Sequence, residues 1–359
     1  MQQVLNLSDF LEVAKNRAVV DVRTPLEFEQ GHIPGAINLP IFTNEQRVLV
    51  GTAYKQQSRE AAILLGFELV GSKWADFIRQ AESFVPEKKI LVHCWRGGMR
   101  SGAMAWAFSL YGFEVNTLKG GYKAFRPAAI DAFSKQYPFK ILSGSTGSAK
   151  TEILQEMGLL GEQVIDLEGL AQHQGSSFGS MGTFVQPSQE QFENLFGAEL
   201  QKMDLNKPIW LEDESIMIGK RVIPKPIWEQ MRQASVLKIE IPKKARIEFL
   251  NAKYGVLAPE FLKVAVLGIA KRLGPLETKF TLQAIDDGRM RDFIDKVLVY
   301  YDKAYLKGLN TRISESVEHI EFEEIAPKNH AKAIVEFTGN ATKKYKLDND
   351  ANLDGVKKY

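Results

Sequence analysis

A single cysteine, Cys94, opens a short segment whose residue types could bind an anion. It follows the apolar run 89–93, and two glycines and an arginine come next. The glycines let the backbone curl with its N–H groups inward, and the arginine adds a planar cation. Many free cysteines are small buried apolar residues, but this setting favours a reactive thiolate, so we predict Cys94 and Arg100 as catalytic residues. The rest of the predicted anion loop is Trp95, Arg96, Gly97, Gly98, Met99 and Ser101.

A second glycine-rich segment follows the apolar run 138–143 and precedes a helical pattern. This order of strand, loop and helix is the context of a Walker A loop, whose backbone N–H groups hold a polyphosphate. Lys150 would add a point charge, and the Thr151 hydroxyl suits a magnesium ion. Ala149 stands where the motif has glycine, so we expect phosphate binding rather than efficient ATP hydrolysis. The predicted phosphate-binding residues are Gly144, Ser145, Thr146, Gly147, Ser148, Ala149, Lys150 and Thr151.

Acidic and polar residues in the second half of the chain are further candidates. An apolar run ends in Glu212, Asp213 and Glu214, where an acid could hold magnesium or its water, although an exposed acidic loop has the same pattern. His173 leads into a Gly/Ser-rich stretch, 174–179, which either closes over a ligand or is an ordinary mobile loop. We expect no tightly bound cofactor and leave the metal unassigned, with magnesium as the candidate ion.

Basic charge is concentrated between residues 201 and 312, with 21 Lys and Arg against 14 Asp and Glu. Three tyrosines, Tyr300, Tyr301 and Tyr305, lie in the same stretch, and aromatic rings with cations can bind single-stranded bases and phosphates. A solvated helical face explains the charges almost as well. The candidate RNA-binding residues are Lys243, Lys244, Arg246, Lys271, Arg272, Arg289 and Arg291.

The composition limits the kinds of site and the class of protein that this sequence can form. The chain has 359 residues, 45% of them hydrophobic, which is enough for two domains with separate cores. One cysteine excludes an internal disulfide, a cysteine-rich zinc site and a resolving pair of thiols. The start of the chain lacks a basic segment followed by an apolar one, and no stretch approaches about 20 apolar residues. We expect a soluble, cytoplasmic protein with no membrane partner, and the net charge of +2 indicates no nucleic-acid binding by itself.

The residues that must position Cys94 resemble a rhodanese domain. Residues 18–23 read as a strand, and Thr24 then caps a helical turn with Pro25 at its first position. The pattern Asp-Val-Arg…Glu-Phe…Gly-His-Ile-Pro-Gly-Ala-Ile-Asn is typical of that family, and Cys94 falls where the family has its active site. The resemblance implies an α/β domain with a parallel sheet, whose cysteine carries sulfur or selenium.

The length of the cysteine loop separates subtypes of this fold. Ordinary sulfurtransferases resemble a Cys-x4-Arg arrangement, whereas five residues lie between Cys94 and Arg100. The longer loop could seat a phosphate-sized group. It also matches the Cys-x5-Arg signature of phosphatases, which need the same thiolate, so a cysteine phosphatase is an alternative. Arg47, Tyr54 and Lys55 are candidates to line the substrate entrance.

The two domains together resemble the tRNA 2-selenouridine synthase family. Besides the cysteine loop, the chain contains Leu-Glu-Gly-Leu-Ala-x-His-x-Gly-Ser-x-Phe-Gly and Leu-Glu-Asp-Glu-Ser. The resemblance implies exchange of sulfur for selenium at C2 of wobble 2-thiouridine in tRNA. In this family selenophosphate is the selenium donor, and the reaction proceeds through an S-geranylated uridine made from geranyl diphosphate. The implied partners are tRNA and a selenophosphate-producing enzyme.

We therefore predict three regions. Residues 1–130 form a rhodanese-like domain with a parallel sheet, and residues 131–312 form a P-loop NTPase-like α/β domain with a basic helical part. Residues 313–359 form a C-terminal extension with a partly disordered tail. A non-catalytic RNA-binding protein with a decayed rhodanese domain is the remaining alternative, and it predicts that Cys94 is dispensable.

Overall fold

The computed structural model describes residues 2–173, 185–309 and 317–351. The chain divides into two compact units, residues 1–134 with 187–201, and residues 135–186 with 202–359. Each unit contains a five-stranded sheet in which every strand pair is parallel, so the predicted α/β class is confirmed. None of the described helices is long and apolar enough to cross a membrane.

The first sheet has the strand order β1-β5-β4-β2-β3. Apolar side chains cover both of its faces, with Phe108 in one core and Phe10 in the other, which explains why β4 reads as a continuous apolar run. Because β2 and β4 are neighbours, the residues that follow Asp21 and His93 leave the sheet side by side. The elements up to residue 134 are β1 (Gln2–Leu5), α1 (Leu7–Ala14), β2 (Ala18–Asp21), α2 (Pro25–Gln30), β3 (Ile37–Asn38), α3 (Asn44–Gln56), α4 (Arg59–Val70), α5 (Trp74–Phe84), β4 (Lys89–His93), α6 (Met99–Leu110), β5 (Glu114–Leu118) and α7 (Tyr122–Asp131), with short 3-10 turns at Gly71–Lys73 and Ala132–Ser134.

The second sheet has the strand order β12-β11-β6-β8-β7, and a short antiparallel hairpin joins β9 to β10. One core packs against this sheet around Trp210, and a separate helical core forms around Phe293. The remaining elements are β6 (Phe139–Gly144), α8 (Lys150–Leu159), β7 (Gln163–Val164), α9 (Leu167–Ala171), α10 (Gln189–Lys202), β8 (Ile209–Glu212), β9 (Met217–Ile218), β10 (Arg221–Val222), α11 (Lys225–Gln233), β11 (Ser235–Glu240), α12 (Lys243–Tyr254), α13 (Pro259–Leu273), α14 (Pro275–Asp286), α15 (Met290–Leu309), β12 (Val317–Glu321) and α16 (Pro327–Ala351).

The structure corrects the predicted division in two places. The described part of the predicted extension, residues 317–351, is not separate, because β12 pairs with β11 along the edge of the second sheet and Ile334 of α16 joins the core against it. The last part of the expected disordered tail, residues 352–359, lies outside the described residues, which continue as helix to Ala351. Residues 187–201 return to the first unit, where a Cβ on Gly197 would lie 2.4 Å from the carbonyl oxygen of Ala129.

Candidate active site

The thiol of Cys94 lies just beyond β4, at the base of an exposed loop. Its Sγ atom is 3.2 Å from Ser101 Oγ, and the residue is only 3% exposed. Residues 95–99 are exposed and lead into α6, a twelve-residue helix whose first N–H groups favour an anion. The loop therefore has its sulfur at the bottom and its backbone at the surface.

Two glycines hold the shape of this loop. Gly97 has a φ of +64°, and a Cβ there would lie 2.3 Å from the carbonyl oxygen of Leu118. Gly121 has a φ of +58°, and a Cβ there would lie 2.2 Å from the carbonyl oxygen of Cys94. The backbone N–H of Tyr122 donates to that same oxygen at 2.9 Å. The glycine turn after β5 thus supports the cysteine loop directly, a role not predicted from the sequence.

A buried ion pair lies near the base of the loop. The Arg23 guanidinium donates to Asp21 Oδ2 and to the Gly31 carbonyl, each at 2.6 Å, and it lies 4.0 Å from the ring centre of Tyr122. His93 Nε2 is 3.7 Å from Asp21 Oδ2, and burial lowers the pKa of His93. Because Asp21, Arg23 and His93 are all buried, the Asp-Val-Arg pattern has a structural role here.

The Arg100 side chain is oriented by Glu27. Its Nη1 and Nη2 atoms donate to Glu27 Oε2 and Oε1 at 2.5 and 3.1 Å. Glu27 is fixed in turn by the capping box that starts α2, where the Thr24 N–H donates to it at 3.0 Å. Burial acts to raise the pKa of Glu27, but the hydrogen bond and charge of Arg100 outweigh burial and lower it. Sequence reasoning missed Glu27 because 73 positions separate it from Arg100.

The pKa of Cys94 lies below its ordinary value. Burial opposes this shift, since it disfavours the charged thiolate. Hydrogen bonds from the side chain and backbone of Ser101, the charge of Arg100 and a backbone hydrogen bond from Gly98 together outweigh the effect of burial. The loop therefore stabilises a thiolate, which is the nucleophilic form of cysteine.

The predicted order of strand, loop and helix around Lys150 is confirmed. β6 ends at Gly144 and α8 begins at Lys150. The Lys150 ammonium donates to the Gly144 carbonyl at 3.0 Å and lies 3.2 Å from Glu212 Oε1. Ala149 has φ +59° and ψ 32°, a left-handed conformation that costs a residue with a Cβ roughly 1–2 kcal/mol. The loop adopts this conformation although alanine stands in place of the expected glycine.

The buried side chain of Arg246 contacts the backbone of this phosphate loop. Its Nη1 donates to the Thr146 carbonyl at 3.0 Å, and its two Nη atoms pair with the Asp302 carboxylate at 2.9 Å each. Arg246 is 5% exposed, so it offers no cation to an RNA phosphate at the surface. Its prediction as a tRNA-binding residue is therefore corrected: Arg246 is a positioning residue for the loop. The same helix also restricts Gly147, where a Cβ would lie 2.7 Å from Leu250 Cδ1.

Three carboxylates meet beside Thr151. Oxygen atoms of Glu168, Glu212 and Glu214 lie within 4.8 Å of one another, and Thr151 Oγ1 donates to Glu212 Oε2 at 2.9 Å. Burial and the negative charge of Glu212 raise the pKa of Glu168 to about 8. A divalent cation would relieve this repulsion, and hard oxygen ligands suit magnesium. The residues present therefore fit a magnesium ion, and Glu168 is a ligand candidate that the sequence analysis did not recognise.

The other two candidates in this region, Asp213 and His173, do not belong to this carboxylate cluster. Asp213 is not one of the clustered carboxylates and accepts a hydrogen bond from Ser143 Oγ at 2.5 Å. A Cβ on Gly219, in the turn of the β9–β10 hairpin, would lie 2.7 Å from His173 Cδ2. Burial lowers the pKa of His173. The stretch predicted to close over a ligand, 174–179, lies outside the described residues.

Most of the remaining basic candidates are paired with other side chains. Lys244 and Lys271 are the exceptions: both are exposed, and neither has an ion-pair partner within the ranges that the structure describes. The observed pairs are Lys243 with Asp295 at 2.7 Å, Arg272 with the Tyr300 hydroxyl at 3.4 Å, Arg289 with Asp287 and Asp292 at 3.0 and 2.8 Å, and Arg291 with Glu248 at 2.8 Å. The stretch is thus largely a charge-paired helical surface.

Comparison with known proteins finds one family model for the part of the chain that contains the cysteine loop and another for the part that contains the phosphate loop. Residues 3–128 match the family model of the rhodanese-like domain, and residues 137–268 match that of the tRNA 2-selenouridine synthase AAA domain. A tRNA 2-selenouridine synthase of Nitrosomonas eutropha is 34% identical over 323 residues, which cover 86% of this chain and 78% of that protein. The chain belongs to the tRNA 2-selenouridine synthase family.

Solved structures match about a third of this family member. The N-terminal domain of a putative ATP/GTP binding protein from Clostridium difficile 630 is 41% identical, with a TM-score of 0.33, and the match covers 35% of this chain and 97% of that one. A rhodanese-related protein from Thermoplasma volcanium is 25% identical, with a TM-score of 0.22, and the match covers 34% and 88% of the two chains.

In this tRNA 2-selenouridine synthase family member, Ser101→Ala should raise the pKa of Cys94, because the thiolate loses its hydroxyl donor. We expect the rate of iodoacetamide alkylation to rise at lower pH in the wild type than for N-acetylcysteine, and the midpoint to move upward in the variant. Ser109→Ala, on the same helix, is the matched control and should leave the midpoint unchanged. A wild-type midpoint at that of N-acetylcysteine, or no shift in Ser101→Ala, would contradict the thiolate assignment.

Proposed function

We propose that this chain is a tRNA 2-selenouridine synthase, which replaces sulfur by selenium at C2 of wobble 2-thiouridine in tRNA. Selenophosphate is the selenium donor, and geranyl diphosphate first alkylates the sulfur. The observation that carries the proposal is that one chain combines a loop that lowers the pKa of Cys94 with a strand, loop and helix arrangement around Lys150, and each of these could bind an anion. The similarity to the Nitrosomonas eutropha enzyme, which extends over 86% of this chain, supports the proposal. We place the reaction in the cytoplasm.

The first proposed step is geranylation at the phosphate loop. The C2 sulfur of 2-thiouridine attacks C1 of geranyl diphosphate, so that a carbon–sulfur bond forms, the carbon–oxygen bond breaks, diphosphate leaves and the N3 proton of the base passes to solvent. Lys150 and the N-terminal N–H groups of α8 stabilise the negative charge that develops on the departing oxygen. Magnesium, held by Thr151 and the neighbouring carboxylates, would supply further charge neutralisation. This step needs no ATP hydrolysis, which agrees with alanine at position 149.

The second proposed step is selenation at the cysteine loop. The selenium of selenophosphate attacks C2, and the C2–sulfur bond breaks with release of geranylthiol, which takes up one proton. Water then cleaves the selenium–phosphorus bond and releases phosphate, leaving 2-selenouridine. The cysteine loop holds the phosphate-sized donor through its backbone N–H groups and Arg100, while the Cys94 thiolate positions the donor for attack on C2.

The experiment that tests this function uses the purified full chain with 2-thiouridine tRNA. Mass spectrometry of the nucleosides should show S-geranyl-2-thiouridine when geranyl diphosphate is added, and 2-selenouridine when selenophosphate follows. Omission of geranyl diphosphate should prevent selenation. If neither product forms and the chain instead hydrolyses p-nitrophenyl phosphate rapidly, the cysteine phosphatase alternative replaces the proposal.

The exposed lysines Lys244 and Lys271 should contribute to tRNA binding, because both reach solvent and neither forms an ion pair within the described residues. Removal of one lysine–phosphate contact should reduce the slope of log affinity against log salt by about one unit, since fewer counterions are released. We therefore expect the Lys244→Gln, Lys271→Gln double variant to bind tRNA more weakly, with a shallower salt slope.

The matched control for this prediction neutralises two paired cations, in the Arg289→Gln, Arg291→Gln variant. These arginines already face carboxylates, so their loss should change the slope less. Equal slopes for the wild type and the lysine variant, measured by filter binding from low to moderate salt, would mean that the tRNA binds another surface.

A further inference from the structure

An apolar groove opens beside the cysteine loop in the first unit. It has a volume of about 840 Å³, within the range of roughly 300–1,000 Å³ that is usual for small-molecule sites. Helices α3, α4 and α6 form its walls, with Phe42, Ile63 and Trp74 among the apolar residues that line it. Phe67 also lines the groove and is 54% exposed, so apolar surface faces solvent here. An apolar ligand would remove this surface from water.

Each of the three helices presents a glycine to the groove: Gly51 in α3, Gly66 in α4 and Gly102 in α6. A glycine inside a helix is unfavourable relative to alanine, so its presence needs a reason. For Gly102 close packing is not the reason, because a Cβ there would have no other atom within 4 Å. The missing side chain leaves open space in the groove.

Cations surround this apolar surface. Arg47, Lys55 and Arg59 line the groove, and among the described residues none of them has an ion-pair partner. Arg100 also lines it, although Glu27 binds its guanidinium. An apolar floor with cations at its sides is complementary to an apolar chain attached to a phosphate-bearing molecule.

The groove is continuous with the catalytic loop. Met99 and Arg100 line it and also belong to the segment that follows Cys94. A ligand in the groove therefore lies next to the loop that is proposed to deliver selenium. The proposed S-geranyl intermediate needs such an arrangement, because its ten-carbon chain is attached through sulfur to the carbon that selenium attacks.

We propose that this groove binds the geranyl chain of S-geranyl-2-thiouridine in tRNA during selenation, with Arg47, Lys55 and Arg59 contacting the RNA phosphates nearby. The proposal rests on the proposed function and adds to it a binding site for the intermediate. The geranyl chain in the groove holds C2 at the cysteine loop. The same contact makes the geranylated base a better substrate for selenation than the unmodified one.

The test measures the affinity of two synthetic oligoribonucleotides that differ only at one base, S-geranyl-2-thiouridine or 2-thiouridine. Wild-type protein should bind the geranylated strand at least about tenfold more tightly, because several CH₂ and CH₃ groups leave water. Gly102→Phe and Thr52→Phe fill the groove from two different walls and should each remove this preference. Gly102→Ala is the matched control and should keep it, because its Cβ meets no neighbour.

Alkylation of Cys94 tests whether the groove variants keep their structure. Its rate should be the same in wild type and Thr52→Phe, which shows that the groove variant leaves the cysteine loop intact.

The binding and product measurements together decide whether the groove assignment holds. Wild type that forms both products but binds the two strands equally, or groove variants that retain the preference, would overturn the groove assignment while the proposed function stands. Loss of geranylation in both phenylalanine variants, with normal selenation of a pre-geranylated strand, would assign the groove to the donor instead. Absence of both nucleoside products in the wild type would overturn the proposed function itself.

Discussion

Cys94→Ser should abolish formation of 2-selenouridine and leave geranylation of 2-thiouridine tRNA largely intact. The serine hydroxyl is not ionised near neutral pH, so the loop loses the thiolate that its hydrogen bonds and Arg100 stabilise. The phosphate loop, with Lys150 and its carboxylate neighbours, is built from a different sheet and keeps its geometry. We expect S-geranyl-2-thiouridine to accumulate in the variant, measured by mass spectrometry of nucleosides after addition of both donors.

Ala75→Ser is a suitable control for this experiment, because it adds a hydroxyl at an exposed position of α5 in the same unit and should retain selenation. Selenation by Cys94→Ser at the wild-type rate would remove Cys94 from the reaction and favour a decayed rhodanese domain. Loss of geranylation together with selenation would mean that the two steps are not served by separate loops.

Lys150→Ala should slow geranylation by about 10², equivalent to on the order of 3 kcal/mol of lost transition-state stabilisation. The ammonium lies between the Gly144 carbonyl and Glu212, where it can follow the charge that develops on the leaving diphosphate. Without it, Glu212 also loses its cation and repels the diphosphate. The measurement is the initial rate of S-geranyl-2-thiouridine formation at saturating geranyl diphosphate.

Lys225→Ala removes an exposed lysine of the same unit and is the matched control, with an expected rate close to wild type. Selenation of a pre-geranylated oligoribonucleotide should remain normal in Lys150→Ala, since that reaction does not release diphosphate. Wild-type geranylation by Lys150→Ala would place the diphosphate at another site.

The two loops could be predicted from the sequence because each is a local pattern. The apolar run before Cys94 and the glycines after it lie within a few residues, and so does the order of strand, loop and helix around Lys150. Short-range patterns of this kind determine where a strand ends and which backbone N–H groups are free. The α/β class followed from the same local patterns.

The residues that orient these loops could not be predicted, because tertiary contacts bring them together. Glu27 reaches Arg100 only because β2 and β4 are adjacent strands. Glu168 joins Glu212 because α9 follows β7, which pairs with β8. Arg246 looked like a surface cation in the sequence, since nothing local indicates that Asp302, 56 positions away, neutralises it. Charge patterns along a chain do not show which cations remain free.

The return of residues 187–201 to the first unit determines the order in which this protein can be completed during synthesis. Asn194 is fully buried there and donates to the Tyr122 hydroxyl at 2.7 Å, and Phe196 packs against Phe133. A ribosome finishes residues 1–134 well before it adds α10, so the nascent first unit has an incomplete core while β6 and α8 are being made. The first unit therefore needs a segment that is synthesised after the second unit has begun. The two units fold during overlapping periods instead of one after the other. For the same reason, no single proteolytic cut between residues 134 and 187 yields a complete first unit.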